Sequence, residues 1–326
     1  TGKRLLDVFS VHYYPQSGEF GDDISTNMQL LRNRSTRSLW DPNYVDESWI
    51  NNKVQLVPRL KGWVNAHYPG TKTAVTEYNW GADGNINGAT TQADILGIFG
   101  REGLDIATRW TCPDSGTPTY KAFQMYRNYD GNKSTFGDSS VEAVVPDPDT
   151  MSAFAGVRSS DGVLTIMVIN KDLSNSSRTA INISNFAAQS AAEVWQLTAS
   201  NAITRLPDAA VSGATVNLSL PPQSVTLVVV RASGGALAPN APSNLTATTG
   251  GETVTLNWAN NSTNEAGSYV ERALKKTGVF ARVGQVDSNS TTYSEAVAPG
   301  KYLYRVQAFR SGLTSNYSNS VKVKVK

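Results

Sequence analysis

Three short apolar runs, each followed by a helix-like pattern, constrain this chain more than any other feature. They are LLDVFSVHYY (5–14), TKTAVTEY (71–78) and LDIATRW (104–110). After the first, ESWINNKVQLVPRLKGWVNAHY (47–68) places Trp49, Ile50, Val54, Val57, Leu60 and Val64 at helical spacing. Pro58 within it predicts either a kink or a second helix beginning there. After the second run, Thr91-Gln92-Ala93-Asp94 matches a capping box and predicts a helix from about Thr91. After the third, Pro118 near a helix start leads Ala122, Phe123, Tyr126 and Tyr129. Strand and helix alternating three times predict parallel strands joined by right-handed crossovers over residues 1–131.

From 132 the pattern changes. VLTIMVINK (163–171), TAINISN (179–185), AEVWQL (192–197), ATVNLSL (214–220) and SVTLVVVR (224–231) are short β-branched runs separated by turn signals. They predict an antiparallel β-sandwich over 132–233. ASGGALAPNAPSN (232–244) is rich in Gly, Ala and Pro, and 234–241 reads as a linker. Residues 242–326, with Pro242, Leu245, VTLNWANN (254–261) and KYLYRVQAFRSG (301–312), resemble a fibronectin type III module. That resemblance makes Trp258 the core tryptophan and Tyr302 the tyrosine-corner residue.

Composition narrows the function classes. At 326 residues, 40% hydrophobic and 17% charged, the chain has the balance of a globular protein of two or three domains. Its net charge is +2, with Lys and Arg spread along it, so no basic stripe argues for nucleic acid or anionic lipid. No apolar run reaches the ~18 residues that a membrane span needs. The single cysteine, Cys112, excludes an internal disulfide framework and a Cys-rich zinc site. The chain begins at Thr1 with no signal-peptide pattern, so it is expected to be a piece of a longer polypeptide.

In parallel βα architectures the reacting groups gather where strands end. Asp7 and Asp105 lie at strand beginnings, whereas Glu77 closes its strand. His12-Tyr13 and Arg109-Trp110 occupy the corresponding ends, and Tyr78, Asn79 and Trp80 follow Glu77. One face can therefore gather a carboxylate, hydrogen-bond donors and aromatics, a set that suits sugars. Two histidines 55 positions apart form no ligand cluster, and neither a phosphate loop nor a G-x-S-x-G elbow is present. Each residue also has a structural reading. Glu77 could serve an ion pair and His12 the core. Trp63 is expected in the core; Trp49 and the loop residue Trp40 fit either core or cleft; Trp110 fits ligand contact; Trp195 and Trp258 fit the β cores.

The stretches VFSVHYYPQ (8–16), RNRSTRSLWDPNYVDESWINNKVQLVPRLKGW (32–63), TKTAVTEYNWGADGNINGATTQADILGIFGREGLD (71–105) and ATRWTCP (107–113) closely resemble glycoside hydrolase family 44. The resemblance covers roughly residues 1–232. It implies an endo-β-1,4-glucanase, with activity on xyloglucan in many members, built as a (β/α)8 barrel followed by a β-sandwich. Residues 1–131 would supply barrel strands six to eight. Glu77 would be the nucleophile of a retaining mechanism, His12 and Tyr13 would close the sixth strand with Tyr13 orienting Glu77, and Trp110 would floor the subsite for the attacked sugar. Trp40, Trp49, Tyr78 and Trp80 complete the expected substrate-binding set. The family's acid/base is a Glu at the end of the fourth strand, usually after Asn. The only Asn-Glu pair here, Asn264-Glu265, lies in the fibronectin-like segment, so the acid/base is expected outside this chain. The rest of the expectation is a secreted bacterial monomer acting on cellulose, xyloglucan or mixed-linkage glucan, without a required cofactor. A structural calcium could use the loop Gly18–Asp23, for which a solvated turn is the alternative. The rival reading is a non-catalytic carbohydrate-binding or spacer fragment.

Overall fold

The structure, a computed structural model, describes residues 4–233, 239–262, 265–310 and 313–325. It divides into two compact units: Thr1–Arg158 with Val163–Ser233, and Ser159–Gly162 with Gly234–Lys326.

The first unit opens with a parallel three-stranded sheet, β1 (Val8–Tyr13), β2 (Lys72–Tyr78) and β3 (Ile106–Ala107), in that spatial order. The connections carry α1 (Thr26–Ser35), α2 (Leu56–His67) and α3 (Ile86–Glu102), and α4 (Pro118–Arg127) follows β3. Helix α2 starts at Leu56, which puts Pro58 in its first turn. There the missing N–H has no intrahelical partner to lose, and the ring would clash with the carbonyl at 54 if the helix ran further back. Trp49, Ile50 and Val54 are therefore loop residues. Helix α3 starts five residues before the expected capping box. Asn85 caps it, its side chain accepting from the Asn87 N–H, which leaves Thr91 buried in mid-helix. The third strand is much shorter than its apolar run, although the chain stays beside β2: Thr108 N–H donates to Val75 O and Trp110 N–H to Tyr78 O.

Next come β4 (Ser139–Val141), β5 (Met151–Val157), β6 (Leu164–Asn170), β7 (Ser177–Asn182), β8 (Ala188–Leu197), β9 (Ile203–Ser212), β10 (Thr215–Leu220) and β11 (Ser224–Ala232). They form one curled antiparallel sheet ordered β4-β5-β6-β11-β8-β9-β10-β7. Alternation along β11 explains its two cores. Leu227 and Val229 join Met167, Ile169, Phe154 and the α3 residues Ile95 and Ile98. Val228 and Val230 face Ile166, Val168, Val216 and Leu220. The change of pattern at 132 is thus no gap in packing, because α3 is shared between the parallel sheet and the antiparallel one. Gly97 allows that closeness: a Cβ there would stand 2.1 Å from the Phe154 ring.

A buried polar network locks the same junction. Lys171 at the end of β6 pairs with Asp94 of α3 at 2.7 Å, both side chains 2% exposed. Lys171 Nζ also donates to Pro148 O, and Thr36 Oγ1 donates to Asp94. Asn33 donates to Lys171 O, Asn87 to Asn33, and Arg32 to Asn87.

The second unit has its own core and two sheets. Strands β12 (Ser243–Gly250), β13 (Thr253–Ala259) and β16 (Thr292–Ala296) form one. Strands β14 (Gly267–Leu274), β15 (Phe280–Asp287), β17 (Gly300–Arg310) and β18 (Leu313–Tyr317) form the other, with β19 (Val321–Val325) also paired to β17. Trp258 is buried among Leu245, Leu256, Val270 and Tyr304. Tyr302, at the start of β17, donates from its hydroxyl to Ala298 O at 3.0 Å. Asn264 and part of the 234–241 stretch lie outside the described residues. Glu265 accepts from Asn260 and from the Asn289 N–H.

Candidate active site

The ends of β1 and β2 meet through an irregularity in register. Val11 lies opposite Val75, but His12 lies opposite Glu77, so Thr76 is the extra residue. Bulges re-aim side chains. Here the bulge turns Glu77 to the same face as His12 and lets Val75 and Tyr78, three apart, both join the helix-side core.

Glu77 keeps 30% of its side chain exposed. Its Oε2 accepts from the Tyr14 hydroxyl at 3.0 Å, and His12 Nδ1 stands 3.2 Å from the same oxygen. The His12 side chain is 56% exposed. Partial burial, and then the Glu77 carboxylate beside it, push the Tyr14 phenol up, so it stays a proton donor at neutral pH. Among the described residues, Oε1 of Glu77 has no hydrogen-bond partner.

Tyr13, expected to orient Glu77, points the other way. Its ring packs on Trp80 and its hydroxyl donates to Asp46, which also accepts from Ser38. Period-two alternation carried this signal, since residues 12 and 14 share a face and 13 does not. The residue missed in the sequence is Tyr14.

The expected aromatics separate in the same way. Trp110 is 57% exposed and Trp49 is 79% exposed, the latter tethered by its indole N–H to Gln16, which in turn donates to Tyr14 O. Phe20, unforeseen, is half-exposed edge-on to Tyr14. By contrast Tyr78 is buried against Phe99 and accepts from Gln92. Trp80 is also buried, its indole donating to Ser35 Oγ. Trp40 stacks under Arg101 and lines a cavity with Arg37, Ile98 and Phe154, at the α3 junction with β5. Tertiary packing therefore turns Tyr78 and Trp80 into the core and sets Trp40 partly buried against it, away from Glu77's open face, which their positions in sequence do not show. Trp63, expected in the core, is only half covered, against Phe9 and Arg59.

Second-layer contacts fix the loop behind Glu77. Arg109, with its side chain 4% exposed, donates to Asn79, Asp83, Gln92 and Thr111 O, and Asn79 donates to Trp110 O. Arg32 is fully buried and donates to Glu19 O, Gly21 O, Asp23 O and Trp80 O. Gly81, at φ +65°, allows the two loops to touch: a Cβ there would meet Gly21 O at 2.2 Å. The Gly18–Asp23 loop is thus held by a guanidinium on its inner side, with the Glu19 carboxylate accepting from Ser17 N–H, while Phe20, Asp22 and Asp23 are exposed. No group of three or more His, Cys, Asp or Glu able to hold a metal occurs among the described residues.

No family model matches the chain. It is 35% identical over 245 residues to Endoglucanase A of Paenibacillus lautus, a match covering 71% of this chain and 35% of that protein. Among solved structures it resembles CelM2, a bifunctional glucanase-xylanase from a metagenome library, at 71% identity and TM-score 0.71, covering 71% of this chain and 45% of that one. It also resembles a family 44 endoglucanase of Clostridium acetobutylium at 35% identity and TM-score 0.66, covering 70% and 48%. A Paenibacillus polymyxa family 44 xyloglucanase with xyloglucan gives 33% identity, TM-score 0.65, and 71% and 48% coverage. The chain spans between about a third and a half of these relatives' lengths. Over the seven-tenths of it that they match, the chain belongs to glycoside hydrolase family 44.

Proposed function

We propose that this chain carries the nucleophile half of a retaining glycosidase acting on β-1,4-glucans, with Glu77 as the attacking group. The observation that carries this reading is the asymmetry at Glu77: Tyr14 and His12 converge on Oε2, while Oε1 has no hydrogen-bond partner among the described residues. A carboxylate so held can present Oε1 to an anomeric carbon and form a glycosyl-enzyme. Trp110, Trp49 and Phe20 rim that face with open aromatic surface, and Trp110 is read as the floor beneath the attacked sugar.

The second carboxyl group, which would protonate the leaving oxygen at about 5 Å from the nucleophile, is placed outside these 326 residues. Among the described residues no further strand pairs with either edge of the three-stranded sheet, as expected of part of a barrel. Cellulose and xyloglucan are the proposed substrates, from the names of the relatives, and an exported protein follows from that choice. No helix among the described residues is long and apolar enough to cross a membrane. The second unit is read as a fibronectin type III spacer, on its two antiparallel sheets of three and five strands and the Tyr302 corner.

A glucoside with a leaving group that needs no protonation tests this without the missing acid. The chain is incubated with 2,4-dinitrophenyl 2-deoxy-2-fluoro-β-cellobioside and digested for mass spectrometry. The sugar is expected on the peptide containing Glu77, and E77Q is expected to slow labelling by about three orders of magnitude or more. An unlabelled chain, or label on another residue, overturns the assignment.

A further inference from the structure

The near-neutral total of the chain hides a division of charge. Residues 242–326 hold ten Lys and Arg against five Asp and Glu, while 1–241 hold nineteen against twenty-two. The sheet of β14, β15, β17, β18 and β19 collects much of the excess on its outer face. Alternation sends Tyr302, Tyr304 and Val306 of β17 and Val323 and Val325 of β19 into the core. Lys301, Lys322 and Lys324 therefore point outward, and all three are exposed. Lys301 sits directly opposite Lys324 and forms no ion pair among the described residues, nor do Lys322 and Lys324. Like charges facing across strands cost stability. Edge lysines deter pairing with another chain, but that purpose does not call for Lys301, which lies on the central strand β17.

We propose that this face docks an anionic polysaccharide of the uronate class, one carboxylate per sugar, so that the second unit anchors the protein on an acidic wall polymer beside the glucan. The occupant follows from charge and from what the face lacks. The Tyr269 ring has Phe309 stacked on it at 4.1 Å and Arg282 over it at 3.2 Å. Arg305 lies between Phe280 and Tyr317 and pairs with Glu271. With the ring faces so engaged, neither nucleic-acid bases nor neutral sugar rings find a stacking platform. The lysine ammonium groups remain, and they suit carboxylates held at hydrogen-bond distance and screened by salt.

The choice of a wall polymer rests on the glucanase reading, but the binding itself does not involve Glu77. The full chain is run in native gels containing polygalacturonate, fully methyl-esterified polygalacturonate, or duplex DNA. Retardation by polygalacturonate alone, weakening with added salt, is expected. Combined K301S, K322S and K324S should weaken it on the order of tenfold, with an unfolding midpoint unchanged or raised. The triple Lys→Arg variant should retain binding, and so should E77Q, whatever the labelling experiment gives. Equal retardation by the ester means that neutral sugar contacts dominate, and equal retardation by DNA means a general polyanion surface. Either of these, or no retardation, overturns the proposal.

Discussion

Two polar clusters of the first unit treat their charges in opposite ways. Around Asp94 and Lys171 both side chains are 2% exposed, and the ammonium has the carboxylate and Pro148 O as partners. Around Glu77 the donors crowd one oxygen, the other has no hydrogen-bond partner among the described residues, and the neighbouring His12 and Trp110 are more than half exposed. A buried charge left without its partner costs several kcal/mol, so a closed network serves to hold elements in place. On the proposed reading, a carboxylate with only one oxygen tied down keeps the other for the sugar, and the contrast with the closed pair is what distinguishes Glu77 from Asp94.

The largest effect should come from opening the closed cluster. Asp94→Ala strands the Lys171 ammonium and is expected to destabilise the first unit by about 3–5 kcal/mol in urea unfolding. Pairing it with Lys171→Met should recover most of that loss. If the single change is harmless, the cluster is not the lock described here.

At the open cluster, Tyr14→Phe removes a donor to a carboxylate. Hydrogen bonds to charged groups are worth about 1.5–3 kcal/mol, so labelling by the fluoro-glucoside should slow about tenfold to a hundredfold with little change in unfolding. Tyr13→Phe should do the reverse, costing about 1.5–3 kcal/mol of stability through the lost bond to the buried Asp46 carboxylate while labelling is kept. Equal effects of the two changes on labelling would contradict the assignment of their faces.

The smallest effect concerns Glu47. Hydrogen bonds from Arg34, and then from Tyr44, hold its carboxyl below the usual carboxylate range. A depressed folded value means that this stabilisation is complete above the unfolded value of about 4.3 and is lost as pH falls through it and then through the folded value. Both partners are about one-third exposed, so Glu47→Gln should cost only a few tenths of a kcal/mol at pH 7. The cost should shrink as pH falls below the unfolded value.

Local chemistry alone marked Glu77 as the strand-end carboxylate, Pro118 as a helix start and the β-branched runs as strands. These signals lie within a few residues of one another, so the sequence carries them intact. Strands β4, β5 and β9 were not legible in that way. Pro207 and Asp208 interrupt β9, β4 is a three-residue edge strand, and β5, MSAFAGV, lacks a β-branched run. The start of α3 lies earlier than the Thr91 capping box suggests, because Asn85 sits in a turn-rich stretch and only the packed helix shows that its side chain caps the first turn.

Which tyrosine meets Glu77, and which tryptophans stay open, was decided by tertiary structure. The extra residue Thr76 shifts the register of β2 against β1, and one residue of shift exchanges the faces of a strand. The helix and sheet layers then bury Tyr78 and Trp80 and partly cover Trp40, leaving Trp49 and Trp110 exposed. Residue type and spacing determined that a carboxylate and aromatics would gather at these strand ends. Register and packing, which depend on partners far away in the chain, determined which of them face solvent.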